Sequence, residues 1–339
     1  MGWIKRQVRR LVKRAAKYAG IPLRDPALVA MLGNQPTASG VDVDENVALN
    51  YSAVWAAVNV IASNVAALPP IPYQRKDGGH FEAEDHISWK VLLVAPNDEM
   101  TPYVFRETLQ AHALTWGNGY ARLERVAPDA PVTGMVPMLP NQVTPERDED
   151  SGEIYYQFTA LYAGEEDERI PAWQVLHIPG LGFDGLKGYP VIQQARESIG
   201  LGVAAEKFGG AFFGRGCTLG GIIEIPDELE MTSKAKKNFR ESFELLHRGP
   251  DNSHRIAFLE QGMQYKQIGI QPDDAQFLET RQFQIVEVAR WFNIPPHLLR
   301  DLTNATFSNI EHQGIEFFAI TLRPWLLRWQ QEYQRKLFG

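Results

Sequence analysis

The segment that most constrains the fold is residues 191–213. It reads as one long helix, about 35 Å at the standard rise per residue. Its composition is unusual for a helix, because Ala195, Gly200, Gly202, Ala204, Ala205, Gly209, Gly210 and Ala211 leave much of its surface without side chains. An interior glycine costs a helix roughly 0.5–1 kcal/mol against alanine. Such a helix needs an outside return, and close approach of backbones supplies one. Gly200, Gly202, Gly209 and Gly210 are therefore candidates for a face where copies of one helix pack side by side.

A second long helix, residues 274–292, places Leu278, Ile285, Val288, Ala289 and Phe292 near one face and is stopped by Pro295-Pro296. Between the two helices lies a compact module after Gly214-Arg215-Gly216. It has a strand at 221–225, a helix at 233–247 closed by Gly249-Pro250, and strands at 255–259 and 265–268. A small α/β insertion carried on two helices is thus predicted.

Upstream, residues 21–47 carry Pro22, Pro26, Gly33, Pro36 and Gly40 with little periodicity and read as a linker, so that folding starts near Leu49. A helix follows from Tyr51 to Ala67, stopped by Pro69-Pro70, then a strand at 71–75 into the turn Asp77-Gly78-Gly79. Thr101-Pro102 opens a helix that Gly117 closes. Strands are expected at 120–126, 143–145, 154–158 and 175–178. The class is α+β. After a polar loop at 301–307, Ser308 and Glu311 have capping-box spacing and launch a helix with an aromatic stripe of Phe317, Phe318, Trp325, Trp329 and Tyr333, kinked at Pro324.

Charge and motifs exclude several functions. The formal net charge of −7 argues against gripping nucleic acid by broad phosphate neutralisation. The basic residues Lys5, Arg6, Arg9, Arg10, Lys13, Arg14, Lys17 and Arg24 precede the first acid, Asp25. They read as a mobile basic arm in preference to a membrane-surface helix, and no apolar run approaches spanning length, so no membrane is expected as a partner. The single Cys217 has no flanking base, and no histidine pair has the i, i+4 spacing of a helical metal motif. Paired acids such as Asp273-Asp274 read as solvated turns. Gly180-Leu181-Gly182-Phe183-Asp184-Gly185 matches G-x-G-x-x-G in form, but Gly188 and Pro190 intervene before the next helix, so the dinucleotide context is missing. A Walker-type G-x-x-x-x-G-K-[ST] is absent from the sequence. No catalytic residue, cofactor or metal is assigned, and an enzyme is not expected. A nucleotide- or metal-dependent nucleic-acid-processing enzyme is the rival reading, resting on the glycine loop and scattered acids.

Several segments together resemble one family. Ile178-Pro179-Gly180 through Gly188-Tyr189-Pro190-Val191-Ile192, then Phe212-Phe213 with Arg215-Gly216, occur in the order seen in HK-type portal proteins of tailed phages and prophages. So do Gln276-Phe277-Leu278-Glu279-Thr280-Arg281, Val288-Ala289-Arg290, Ile294-Pro295-Pro296-His297-Leu298-Leu299 and Leu322-Arg323-Pro324-Trp325-Leu326. The resemblance covers residues 49–338 and implies a portal fold. Residues 1–48 would be the basic arm and linker, 49–190 the first part of a wing, 191–216 and 273–296 stem helices, and 217–272 a clip. Residues 297–308 would be a tunnel loop and 309–339 the closing wing helix, with the family's crown absent after Gly339.

The resemblance further implies a homo-oligomeric ring of about twelve copies at one capsid vertex, a channel for packaging and ejecting double-stranded DNA with an acidic wall that lets phosphates slide. Its partners would be the terminase large subunit, head-completion and connector proteins and the major capsid protein. Its places would be the virion and, during assembly, the host bacterial cytoplasm. The loop residues Arg300, Asp301, Leu302, Thr303, Asn304, Ala305, Thr306 and Phe307 would line the channel. On the helix at 233–247, Lys234, Lys236, Lys237 and Arg240 are candidates for docking the motor or connector.

Overall fold

The computed structural model describes residues 37–76, 78–161, 165–214, 221–224, 232–247, 264–267, 274–301 and 314–338. Order begins earlier than the expected linker boundary. Thr37 Oγ1 donates to the Val41 carbonyl at 2.7 Å, Val41 and Val43 are buried, and Asp44 Oδ1 accepts the Val47 amide at 2.8 Å to cap helix α1 (Glu45–Leu49). The prolines and glycines of this stretch hid an N-cap and an apolar alternation.

Helix α2 (Ser52–Ala67) turns Val54, Ala57, Ile61, Ala62 and Val65 inward and ends at Leu68, before two prolines that cannot continue it. Its last carbonyls meet an unusual cap. Arg106, buried on helix α3 (Pro102–Trp116), donates from Nε and Nη2 to the Ala66 carbonyl at 3.1 and 2.7 Å and from Nη1 to Leu92 O at 3.3 Å. No carboxylate is needed there: the negative end of a helix dipole faces the guanidinium. Thr101 Oγ1 caps α3, and Gly117, at φ 78°, ends it in the left-handed region.

An exposed hairpin, β1 (Tyr73–Lys76) with β2 (Gly79–Glu82), leads α2 towards α3. Beyond α3, two three-stranded antiparallel sheets form. One is ordered β4 (Gly134–Met138), β3 (Asn118–Glu124), β8 (Val175–Pro179); the other β5 (Val143–Arg147), β6 (Ile154–Phe158), β7 (Glu168–Pro171). Strands β4 and β7 escaped the sequence reading because each is short and carries a proline, Pro137 or Pro171. Tyr120, Met138, Val143, Tyr156, Ile170 and Val175 fill a small core of their own at these sheets. The larger core joins α2, α3, β3, β8 and both long helices.

The expected helix at 191–213 is two. A short turn, α4 (Val191–Gln194), breaks at Ala195 before α5 (Arg196–Gly214). Strand β9 (Gly221–Glu224) pairs antiparallel with β10 (Gln264–Gln267), and helix α6 (Ser233–His247) falls between them in sequence. Helix α7 (Asp274–Phe292) returns to the base. The expected strand at 255–259 lies outside the described residues.

The last helix is irregular on both sides of α8 (Arg323–Tyr333), with π turns at Phe317–Leu322 and Gln334–Phe338. Pro324 has no amide hydrogen for the Ile320 carbonyl, and Asn293 Nδ2 donates to that carbonyl instead, at 3.2 Å. Thr321 Oγ1 returns a hydrogen bond to Asn293 O. The disruption expected at Pro324 therefore appears as a π turn one step ahead of it, satisfied by a residue from the end of α7.

Candidate functional site

The two long helices form an antiparallel pair. Ser198 Oγ, near the start of α5, accepts from Trp291 Nε1 at 3.4 Å near the end of α7, while further along Glu206 Oε1 accepts from Arg281 Nη2 at 3.3 Å. That ion pair is half-exposed and contributes about 1 kcal/mol or less. The feet of the pair are sunk in the base: Ile199, Val288, Ala289 and Phe292 belong to the larger core, and Glu197 Oε2 accepts the Ala38 amide at 2.9 Å.

Two of the four glycines singled out serve contacts within the chain. A Cβ on Gly200 would sit 2.7 Å from Thr37 Oγ1, and one on Gly202 would sit 2.8 Å from Tyr51 Cζ. Burial and the nearby Glu206 carboxylate raise the Tyr51 phenol above its ordinary pKa, keeping it neutral in this seat. Gly209 is buried, whereas Gly210 is exposed with nothing within 4 Å of a Cβ. Thr37 and Tyr51 were missed as partners because one lay in an expected linker and the other at a helix boundary.

The two helices are close to charge-balanced. On α5, Arg196 and Lys207 offset Glu197 and Glu206; on α7, Arg281 and Arg290 stand among Asp274, Glu279 and Glu287. The acidity expected of a channel wall is not carried by this pair.

The expected tunnel loop is rooted firmly at its first end. Pro296–Leu299 form a 3-10 turn with Leu299 in the core, and Arg300, exposed at φ 66°, closes it by donating its amide to His297 O at 3.0 Å. The Asp301 amide donates to Pro296 O at 3.3 Å. Leu302, Thr303, Asn304, Ala305, Thr306 and Phe307 lie outside the described residues. On α6, Lys234 is exposed, and Lys237 is exposed with Glu241 at 3.8 Å; the side chains of Lys236 and Arg240 are outside the described part.

The glycine loop resolves into a braced hairpin. Asp184 Oδ1 accepts the Leu186 and Lys187 amides at 2.8 and 3.0 Å, which pulls its carboxyl below the usual range. Tyr189 N donates to Leu181 O at 2.7 Å, Gly180 N to Gly117 O at 2.8 Å, and Gly188 N to Asn118 Oδ1 at 2.8 Å. The amides of Gly180, Leu186, Lys187, Gly188 and Tyr189 are thus engaged within the chain, and no helix opens directly behind Gly185, as a dinucleotide site would need. The glycines answer to backbone crowding: a Cβ on Gly182 would lie 2.2 Å from Lys187 O, and one on Gly188 would lie 2.0 Å from Gly117 O.

Behind this loop lies a buried polar joint that the sequence did not announce. Asn118 Nδ2 donates to Gly188 O at 2.9 Å, which with the Gly188 amide fixes the amide orientation, so Asn118 Oδ1 can only accept from His177 Nε2, 3.0 Å away. His177 Nδ1 then accepts from the Tyr156 hydroxyl at 3.1 Å, and the imidazole is neutral. Burial, helped by Arg335 and Lys336, pushes His177 down to about 3; burial, helped by Glu332, pushes the Tyr156 phenol well above its ordinary value. The His177 amide donates to Glu332 Oε1 at 3.2 Å, so the joint ties sheet, loop and C-terminal helix. Every polar atom of the imidazole is used in holding structure. Among the described residues no three His, Cys, Asp or Glu side chains gather where a metal could sit, and no helix is long and apolar enough to cross a membrane.

The chain is thus a braced α+β base with two core-rooted helices, between which the paired strands β9 and β10 and helix α6 fall in sequence. The chain belongs to the phage portal protein family, whose model matches residues 52–339. It is 34% identical over 313 residues to the probable portal protein of Streptomyces phage phiC31, covering 89% of this chain and 67% of that protein. To the portal protein of Enterobacteria phage HK97 it is 30% identical over 298 residues, covering 87% and 68%. Among solved structures, an HK97 family phage portal protein from Corynebacterium diphtheriae matches with a TM-score of 0.60 at 15% identity, over 85% of this chain and 88% of that one. A chain in the neck of a native gene transfer agent particle with C12 symmetry matches at a TM-score of 0.58 and 22% identity, over 85% and 78%.

Proposed function

We propose that this chain assembles head to tail into a ring of about twelve copies at one vertex of a phage capsid, and that the ring is the channel for packaging and ejecting double-stranded DNA. The observation that carries the reading is the antiparallel pair α5 and α7, rooted in the base and bearing the small module at its far end. Copies arranged around an axis would place these pairs side by side, with the exposed Gly210 available for close approach. The C12 symmetry of the similar neck particle supports closure of this kind.

In this arrangement the chain does no chemistry of its own. The terminase large subunit supplies the driving force and docks on the module between β9 and β10; head-completion and connector proteins take that place later, and the major capsid protein surrounds the base. The protein passes from the host cytoplasm, where it assembles, into the virion. Residues 301–307 project into the bore, their short polar side chains touching DNA without strong ionic adhesion. Electron micrographs of purified protein should show rings, and Thr303→Trp should leave the rings intact while cutting DNA packaging several-fold. Normal packaging by that variant would remove the loop from the channel. Charge reversal at Lys236 and Lys237 should likewise leave ring formation unchanged and weaken terminase binding by about tenfold, the scale of a lost charged contact; unaltered binding would place the docking surface elsewhere.

A further inference from the structure

The glycine loop ends in a feature that neither core packing nor the channel uses. Phe183 is 92% exposed and Leu181, two positions earlier, 77% exposed, on a tip whose backbone is held by the Asp184 turn, the Gly182–Gly188 bridge and the Asn118 clamp. A floppy loop could fold such side chains back against the surface. This one holds them out, and an aromatic anchor on a rigid support binds with little ordering cost.

A matching hollow exists elsewhere on the same chain. A cleft of about 580 Å³ opens between the end of α2, the strand entering β1 and α8, walled by Leu68, Ile71, Tyr73, Leu326, Tyr333 and Phe338. The one cation among the described residues of its lining, Arg106, is already engaged by the Ala66 and Leu92 carbonyls. Gly180, at the root of the knob, has its Cβ position 3.7 Å from Trp325, whereas the hollow runs from Leu326 along Trp329, Gln330, Tyr333 and Gln334 to Phe338.

We infer that Phe183, with Leu181, seats in this cleft of the neighbouring copy and sets the angle between subunits in the ring. The inference rests on the ring reading above. The occupant is a second copy on three grounds. A knob and a distinct hollow on one chain can be joined from copy to copy in a head-to-tail contact, the kind that closes rings. The chain carries a net charge of −7, so copies repel and their contact must be apolar or locally neutral. At the tip Asp184 and Lys187 offset one another, and the hollow is walled by apolar and uncharged side chains around the engaged Arg106.

The test uses the full chain and reads ring formation against protein concentration by mass photometry. Phe183→Ser should melt at the wild-type temperature, because the ring is in solvent within the subunit, yet need at least about tenfold more protein to form rings. A Cys217→Ser background carrying Phe183→Cys and Leu68→Cys should give, under mild oxidation, a reducible ladder of covalent oligomers that neither single cysteine variant gives. Assembly of Phe183→Ser at the wild-type concentration, or intact rings without a ladder, would overturn the inference while leaving the ring reading standing. Normal rings that fail to enter capsids would assign the tip to another protein and overturn it equally. A wild-type chain that stays monomeric at every concentration would defeat the ring reading itself, and this inference with it.

Discussion

Asn118 looks like an ordinary strand residue, yet its side chain binds both the amide and the carbonyl of Gly188, 70 positions away, and orients His177. Nothing in local sequence could signal this, because a lone Asn before a glycine reads first as a turn residue. Gly117 was legible, since a glycine after a capped helix is a stop signal; that a Cβ there would also strike Tyr189 O at 2.0 Å was not. The neutral His177 makes a checkable demand. Its folded pKa is about 3 and the unfolded value is the ordinary 6.5, so between these the unfolded chain binds a proton that the fold excludes. Stability is complete above pH 6.5 and falls as pH drops towards 3, by at most about 1.4 kcal/mol per pH unit for this group. His112, pushed to about 4 by burial, adds a similar contribution. Urea unfolding at pH 7 and pH 5 should show the loss, and His177→Gln should reduce the difference while lowering stability at pH 7. An undiminished pH difference in that variant would mean His177 is not the group responsible.

The long helices α5 and α7 were readable from periodicity, proline stops and small residues, and their ends came out within a few positions of expectation. The break at Ala195 was not, because nothing in 191–196 forbids a helix; it reflects the turn needed between the loop and the core. The small residues proved to have more than one use. Gly200 and Gly202 receive Thr37 and Tyr51, whereas Gly210 faces open space in the subunit. In an isolated subunit Gly210→Ala should therefore stabilise α5 by about 0.5–1 kcal/mol, the ordinary helix gain. If the Gly210 backbone meets a neighbouring helix in the ring, the same variant should assemble several-fold less well. Denaturant unfolding beside ring counting separates the two effects, and improved stability with unchanged assembly would detach Gly210 from the subunit contact.

At the scale of the whole molecule, the layout of a small module between two long helices was visible because each boundary carries a local stop signal. What holds the base together was hidden, since its ties run between distant segments: Trp329 Nε1 donates to Gln110 Oε1 at 2.9 Å, and Lys336 donates to Ala172 O. Local propensity carries no trace of such pairs. The base is thus closed by the last helix, α8, while the module leaves and returns through adjacent points marked by Ser198 and Trp291. A chain built this way is divided into a part that must keep its partners and a part that can change them. Recombination that cuts near those two points would transplant a different outer end onto an unaltered base, so a lineage could exchange that end without relearning how to fold.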